Sequence, residues 1–242
     1  DTGRVPYGSR GREIIRKYAK QDMNFLIRHD VKAVLAACGT VSSVARDIGD
    51  ALPVPYFDVL RPTARAAVEQ TKNGKIGIIG TAATIASGSY RKEIERLAPK
   101  TEVFEQACPL FVPLVENAFV SPDDPIPRLT AERYLTPIRE AGVDTLILGC
   151  THYPLVQDAF QKALGPQVKV YGEYGADGSL EWAVSAVASV ASLLCSERSR
   201  LAIISASGPV CDPGHTRGEA ARLLVLEALT DLSDRKSTRL NS

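Results

Sequence analysis

Val31-Lys32-Ala33-Val34-Leu35-Ala36-Ala37-Cys38 runs into Gly39-Thr40, and Val143-Asp144-Thr145-Leu146-Ile147-Leu148-Gly149-Cys150 runs into Thr151-His152. Each is a short apolar run that stops at a thiol, with a small or hydroxyl residue next. Fully apolar strands of this length belong to parallel sheets covered on both faces. Around them the pattern alternates. Residues 12–28 place Ile14, Ile15, Tyr18, Ala19, Met23, Phe25 and Leu26 at close to helical spacing. Helices are also expected over 42–52, 62–72, 88–97, 130–141, 155–164 and 179–196. Extended segments are expected over 54–59, 75–80, 101–106 and 168–171. Strands alternating with helices make this an α/β protein. Two similar cysteine units about one small domain apart predict two pseudo-symmetric α/β domains, with a site in the crevice where strands end.

Two domains are expected. Residues 1–70 with 173–233 are expected to form the first domain, discontinuous in sequence. Residues 71–172 form the second. The last segment, 234–242, is polar and aperiodic and reads as a disordered or foreign tail. The opening at Asp1 is a loop, so the expectation is that the first domain lacks a strand that should precede it.

Composition narrows the function. The formal net charge is +1, so no global field recruits nucleic acid or an anionic membrane. No apolar run is long enough to span a bilayer. Hydrophobic residues make up 45 % of the chain, enough for a sizeable core. The five cysteines are far apart, and the three histidines are scattered, so no metal site is evident and reduced thiols are expected. Gly74-Lys75-Ile76-Gly77-Ile78-Ile79-Gly80 is glycine-rich, but its glycines lie before and within the strand, which argues against a nucleotide-binding loop. Thr81-Ala82-Ala83-Thr84 either lines the crevice or is an ordinary strand-to-helix turn.

Two facing thiols suit one chemistry well. A thiolate takes the α-proton of an amino acid from one face, and the opposite thiol returns a proton to the other. A thiol's pKa lies close enough to neutrality for both tasks. Cys38 and Cys150 each precede a loop or helix start, where open N–H groups gather and can hold a carboxylate. Thr40 and Thr151 add hydroxyl donors. His152 is placed to exchange a proton with Cys150 or to bind substrate. Taken singly, a cysteine closing a strand is usually a small core residue; the matched pair is what favours chemistry. Cys108 and Cys195 read as structural, His29 as a surface or helix-capping residue, and Cys211 and His215 carry no role.

At this point a resemblance can be stated. The segments Asp1-Thr2-Gly3-Arg4-Val5-Pro6-Tyr7-Gly8, Ala36-Ala37-Cys38-Gly39-Thr40, Gly80-Thr81-Ala82-Ala83-Thr84, the run from Ala107 to Glu116 and Leu148-Gly149-Cys150-Thr151-His152-Tyr153-Pro154 are similar, in this order, to glutamate racemases of the cofactor-independent aspartate/glutamate racemase superfamily. The resemblance implies interconversion of L- and D-glutamate with no cofactor and no metal. Cys38 acts on D-glutamate and Cys150 on L-glutamate, with His152 assisting. Tyr7, Gly8, Gly39, Thr40, Thr151 and His152 contact substrate, and Asp1, Thr81, Thr84 and Glu116 support the site. The product would serve peptidoglycan synthesis in bacterial cytoplasm, and a homodimer is left open. An aspartate or other amino-acid racemase, a glutamate-binding fragment with impaired catalysis and a redox dithiol remain as alternatives. The family's pattern has an upstream Asp-Ser pair and an Asn where Gly39 stands. Losing that amide's hydrogen bond to a charged substrate costs roughly 1.5–3 kcal/mol. The native C-terminus of the family is also expected to be missing.

Overall fold

The computed structural model describes residues 3–29 and 31–172, and the backbone of 203–205 and 208–211. The expected domain segment 173–233, apart from the backbone of 203–205 and 208–211, with its helix over 179–196, the tail 234–242, Asp1, Cys195, His215 and the Cys211 side chain lie outside the described residues. Residues 3–172 fall in one compact unit.

Helix α1 (Arg12–Ile27) buries Ile15, Ala19 and Met23, one residue per turn at i, i+4 and i+8. It packs beside a two-stranded parallel sheet of β1 (Val34–Ala36) and β2 (Tyr56–Asp58), in the register Val34↔Tyr56 and Ala36↔Asp58. The strand is shorter than the 31–37 expected, and its middle residue Leu35 faces outward opposite Phe57.

The single helix expected at 42–52 is two short ones, α2 (Gly39–Val44) and α3 (Arg46–Asp50). Serines compete with helical bonding through local side-chain bonds, and here the Ser42 hydroxyl donates to the Ala36 carbonyl. Ala45 leaves helical geometry at φ −126° and ψ 19°. Helix α2 begins directly after Cys38, three residues earlier than expected. Helix α4 (Leu60–Gln70) follows, with Pro62 in its first turn as expected.

The second sheet has the order β4-β3-β5-β6 and is parallel throughout, formed by β3 (Lys75–Gly80), β4 (Glu102–Ala107), β5 (Thr145–Gly149) and β6 (Lys169–Gly172). Leu146 and Leu148 pack on one face with Phe111, Leu135, Tyr153 and Phe160. Ile76, Ile78 and Ile147 pack on the other with Leu60, Ala64, Tyr90 and Ile94. Both faces are covered, which is why β3 and β5 read as unbroken apolar runs.

Three further helices differ from expectation. Residues 82–97 hold α5 (Ala82–Ser87) and α6 (Ser89–Leu97), because Gly88 turns left-handed at φ 62°. The short α7 (Phe111–Glu116) was not expected at all; Pro113 reads as a breaker but sits in the first turn, where no N–H is needed. Helix α8 (Pro125–Glu140) starts five residues early, because the Asp124 carboxylate accepts from the Ile126 N–H at 2.8 Å and Pro125 opens the helix. A 3-10 turn (Tyr153–Val156) and α9 (Gln157–Leu164) complete the unit. In a second unit, β7 (Ile203–Ser205) and β8 (Gly208–Cys211) pair antiparallel. No helix among the described residues is long and apolar enough to cross a membrane.

Candidate active site

Strands β3 and β5 end level with each other, with Gly80 opposite Gly149. Thr81 and Cys150 therefore leave adjacent parallel strands at the same edge of the sheet. Thr81 caps α5 by accepting from the Thr84 N–H at 3.2 Å. Gly149 makes room for this arrangement: a Cβ on it would lie 3.0 Å from the Ile79 carbonyl and 3.5 Å from the Thr84 methyl. The turn carrying Cys150 is thus seated against Thr84.

The first sheet reaches the same place. Cys38 is the N-cap residue of α2, and Thr40 lies in its first turn. The Thr40 hydroxyl is 3.1 Å from that of Thr81 and 3.4 Å from that of Thr84, and those two are 3.0 Å apart. All three are buried. A hydroxyl can both donate and accept, so three of them at these distances can satisfy one another in a ring. This ring joins the turn after β1, which carries Cys38, to the turn after β3, against which Gly149 at the end of β5 is packed. The open question about Thr81 to Thr84 has a double answer: it is a strand-to-helix turn, and its hydroxyls face Thr40.

The loop before α1 meets the same ring. Gly8 is pressed against Thr81, so that a Cβ on it would fall 2.3 Å from the Thr81 methyl, and its carbonyl accepts from the Ala83 N–H at 3.3 Å. The Tyr7 phenol donates to Asp22 at 3.0 Å. Burial first, and then this bond to Asp22, push the phenol above its ordinary pKa, and a charge on Cys38 acts in the same direction. Cys38 therefore lies within electrostatic reach of Tyr7.

On the Cys150 side, the sulfur is 3.7 Å from His152 Nδ1, and His152 Nε2 is 3.3 Å from the Glu116 carboxylate. Thr151 sits half-buried between the thiol and the imidazole residue. The Tyr153 phenol anchors this turn by donating to the Cys108 carbonyl at 2.8 Å, just ahead of the helix that ends in Glu116. A carboxylate on one ring nitrogen fixes the tautomer offered by the other. Here that arrangement aims Nδ1 at the Cys150 sulfur.

The remaining thiol and imidazole of this unit are separate from the site. Cys108 is wholly buried, burial pushes its thiol far above the ordinary range, and its sulfur points to the Gln106 carbonyl. His29 is exposed just beyond α1 and packs at a tilt against Phe25. Gly39 is buried as the first residue of α2. Sequence reasoning missed Asp22: nothing in one sequence marks a helix carboxylate as the partner of a distant tyrosine.

The family model described as Asp/Glu/Hydantoin racemase matches residues 8–172. The chain belongs to this family. Within the racemase family, it is 48 % identical over 169 residues to a glutamate racemase of Syntrophus aciditrophicus, covering 69 % of this chain and 62 % of that protein. It is 44 % identical over 171 residues to one of Geobacter metallireducens, covering 70 % of this chain and 63 % of that one. The chain thus spans a little over three-fifths of the length of these curated relatives. Among solved structures, a glutamate racemase of Bacillus anthracis matches with a TM-score of 0.69 and 34 % identity over 78 % of this chain and 70 % of that one. One from Francisella tularensis, in complex with D-glutamate, matches with a TM-score of 0.68 and 35 % identity over 77 % and 68 %. The parallel α/β fold expected from the sequence is the fold of this racemase family.

Proposed function

We propose that this chain carries the two-thiol site of a cofactor-independent glutamate racemase. The observation that carries the reading is the hydroxyl ring of Thr40, Thr81 and Thr84. It links the turn of Cys38 to the end of β3, and Gly149, next to Cys150, packs on Thr84 at that same end, which supports a site where α/β sheets hold ligands. Residues 1–70 and 71–172 are then the parts of two pseudo-symmetric domains, each offering one thiol to a shared crevice.

The chemistry follows from that placement. The Cys38 thiolate takes the α-proton of D-glutamate, and the Cys150 thiol gives a proton to the opposite face of the carbanion. L-glutamate leaves, with Cys38 now a thiol and Cys150 a thiolate. The reverse reaction starts from that state. For another turnover in the same direction, His152, held by Glu116, passes a proton from solvent to Cys150 while Cys38 releases its own to solvent. Tyr7, Gly8, Thr40 and Thr151 hold the carboxylates and ammonium group, and Gly39 leaves the grip weaker than an amide side chain would. No cofactor takes part. The product suits peptidoglycan synthesis in the cytoplasm of a bacterium.

The test is loss of the α-proton. Glutamate of either hand, incubated with the chain in heavy water and no added cofactor, is expected to exchange its α-proton for deuterium and to invert, as followed by proton NMR and chiral chromatography. Glutamate that binds without exchanging would make this a binding protein. Faster exchange on aspartate would make it a related racemase. A reversible Cys38–Cys150 disulfide without exchange would point to redox chemistry.

A further inference from the structure

The segment from Arg4 to Arg10 is strapped to one face of α1, and Asp22 is where it is fastened. One carboxylate oxygen of Asp22 accepts from the Arg4 guanidinium at 2.6 Å, and the other accepts from the Tyr7 phenol at 3.0 Å. Gln21 accepts from the second terminal nitrogen of Arg4 at 2.7 Å. The guanidinium lies over the Tyr18 ring, 4.4 Å from its centre, and the Tyr7 ring centre is 5.8 Å from that of Tyr18. Positions 18, 21 and 22 share one side of the helix. Arg10 closes the strap on itself, donating from its side chain to the Arg4 carbonyl and from its N–H to the Tyr7 carbonyl.

The far end of the strap is the part that matters for the site. An ionised carboxylate only accepts, so the hydrogen of the Tyr7 phenol is committed to Asp22. Gly8, the next residue, is seated on Thr81, which belongs to the hydroxyl ring. One carboxylate on α1 is therefore linked, through Tyr7, to the glycine seated on Thr81. Its ion pair with Arg4 is partly exposed, and exposed pairs add little to stability. The consequence of losing Asp22 falls on the strap more than on the fold.

We propose that Asp22 is a positioning residue: by holding the Tyr7 phenol and the Arg4 guanidinium together on α1, it sets Gly8 over Thr81 for glutamate binding. This rests on the racemase reading. The experiment is a double-mutant cycle in the full chain, with Asp22→Ala, Tyr7→Phe and the pair, read as KM and kcat for racemisation and as the calorimetric Kd for glutamate. Asp22→Ala is expected to raise KM and Kd about tenfold with kcat within about twofold, the pattern of lost binding. The pair is expected to be no worse than Tyr7→Phe alone, because without the phenol Asp22 has no link to Tyr7 left to lose. Asp22→Asn, which keeps one acceptor, should fall between. Additive effects of the two substitutions, or a lowered Tm with unchanged KM and Kd, would overturn the inference while leaving the racemase reading in place. A parent chain that neither exchanges nor binds glutamate would overturn both.

Discussion

The two cysteines of the proposed site live in different surroundings. Cys38 is half-buried at the head of α2, within electrostatic reach of Tyr7, whereas Cys150 is buried beside His152. In a two-base exchange neither replaces the other, because each serves one face of the α-carbon. Cys38→Ala or Cys150→Ala is therefore expected to lower racemisation by about a thousandfold or more, within the usual range for losing a general acid or base. Chiral analysis of the product measures it; near-normal inversion by either variant would refute the two-thiol mechanism. At this scale much was legible. The motif around Cys150 put His152 two residues away, and the fold keeps it at 3.7 Å. The resemblance supplied Glu116, which sits 3.3 Å from that imidazole. Asp22 was not legible, because its partners Arg4 and Tyr7 come from a loop that only tertiary packing brings back onto the helix.

Between elements, the half of the unit that carries Cys38 is tied to the other half by charge. Arg46 of α3 donates to Glu93 of α6 at 3.0 Å, and Arg96 donates to it at 2.6 Å from one turn away. Glu93 is only 4 % exposed. A second tie runs beside it, from the Ser89 hydroxyl to the Ser43 carbonyl. The Arg96 and Arg46 bonds hold the Glu93 carboxyl below its ordinary pKa, outweighing the opposing effect of burial. A carboxyl so lowered contributes stability above its unfolded pKa, about 4.3, and loses that contribution as pH falls through the folded value. Glu93→Gln should therefore cost about 1–3 kcal/mol at neutral pH, as for lost bonds to a charged group. The gap from the parent should close once pH falls below the ordinary carboxylate range. Thermal unfolding of both proteins across pH measures this, and a gap unchanged in acid would show that the charge of Glu93 is not what stabilises the junction. These ties depend on α3 and α6 as separate helices, and their boundaries were the least readable part of the sequence. The split at Ala45 and the left-handed turn at Gly88 come from serine bonding and packing that leave the hydrophobic period almost unchanged.

Across the described unit, the two sheets are built to different standards. The four-stranded sheet is covered on both faces, and Ile76, Ile78, Leu146 and Ile147 have no exposed surface. The other has two strands of three residues, and its outward pair, Leu35 and Phe57, is 49 % and 47 % exposed. A two-stranded sheet is marginal by itself, so β1 and β2 depend on α1 and on the ties that cross to α5 and α6. Local opening is cheapest where buried apolar contacts are few. The half bearing Cys38 should therefore open at lower free energy than the half bearing Cys150. In the proposed site an amino acid between two thiols needs one side able to give way, and the lower local stability makes the Cys38 side the expected one. Amide hydrogen exchange tests the assignment. Amides of Ile78, Leu146 and Ile147 are expected to be the slowest of these strands, those of Val34 to Ala36 faster by orders of magnitude, and glutamate should slow the segment from Val34 to Val44 most. Equal protection of both sheets, or slowing by glutamate confined to β3 and β5, would place the moving part on the other side of the crevice.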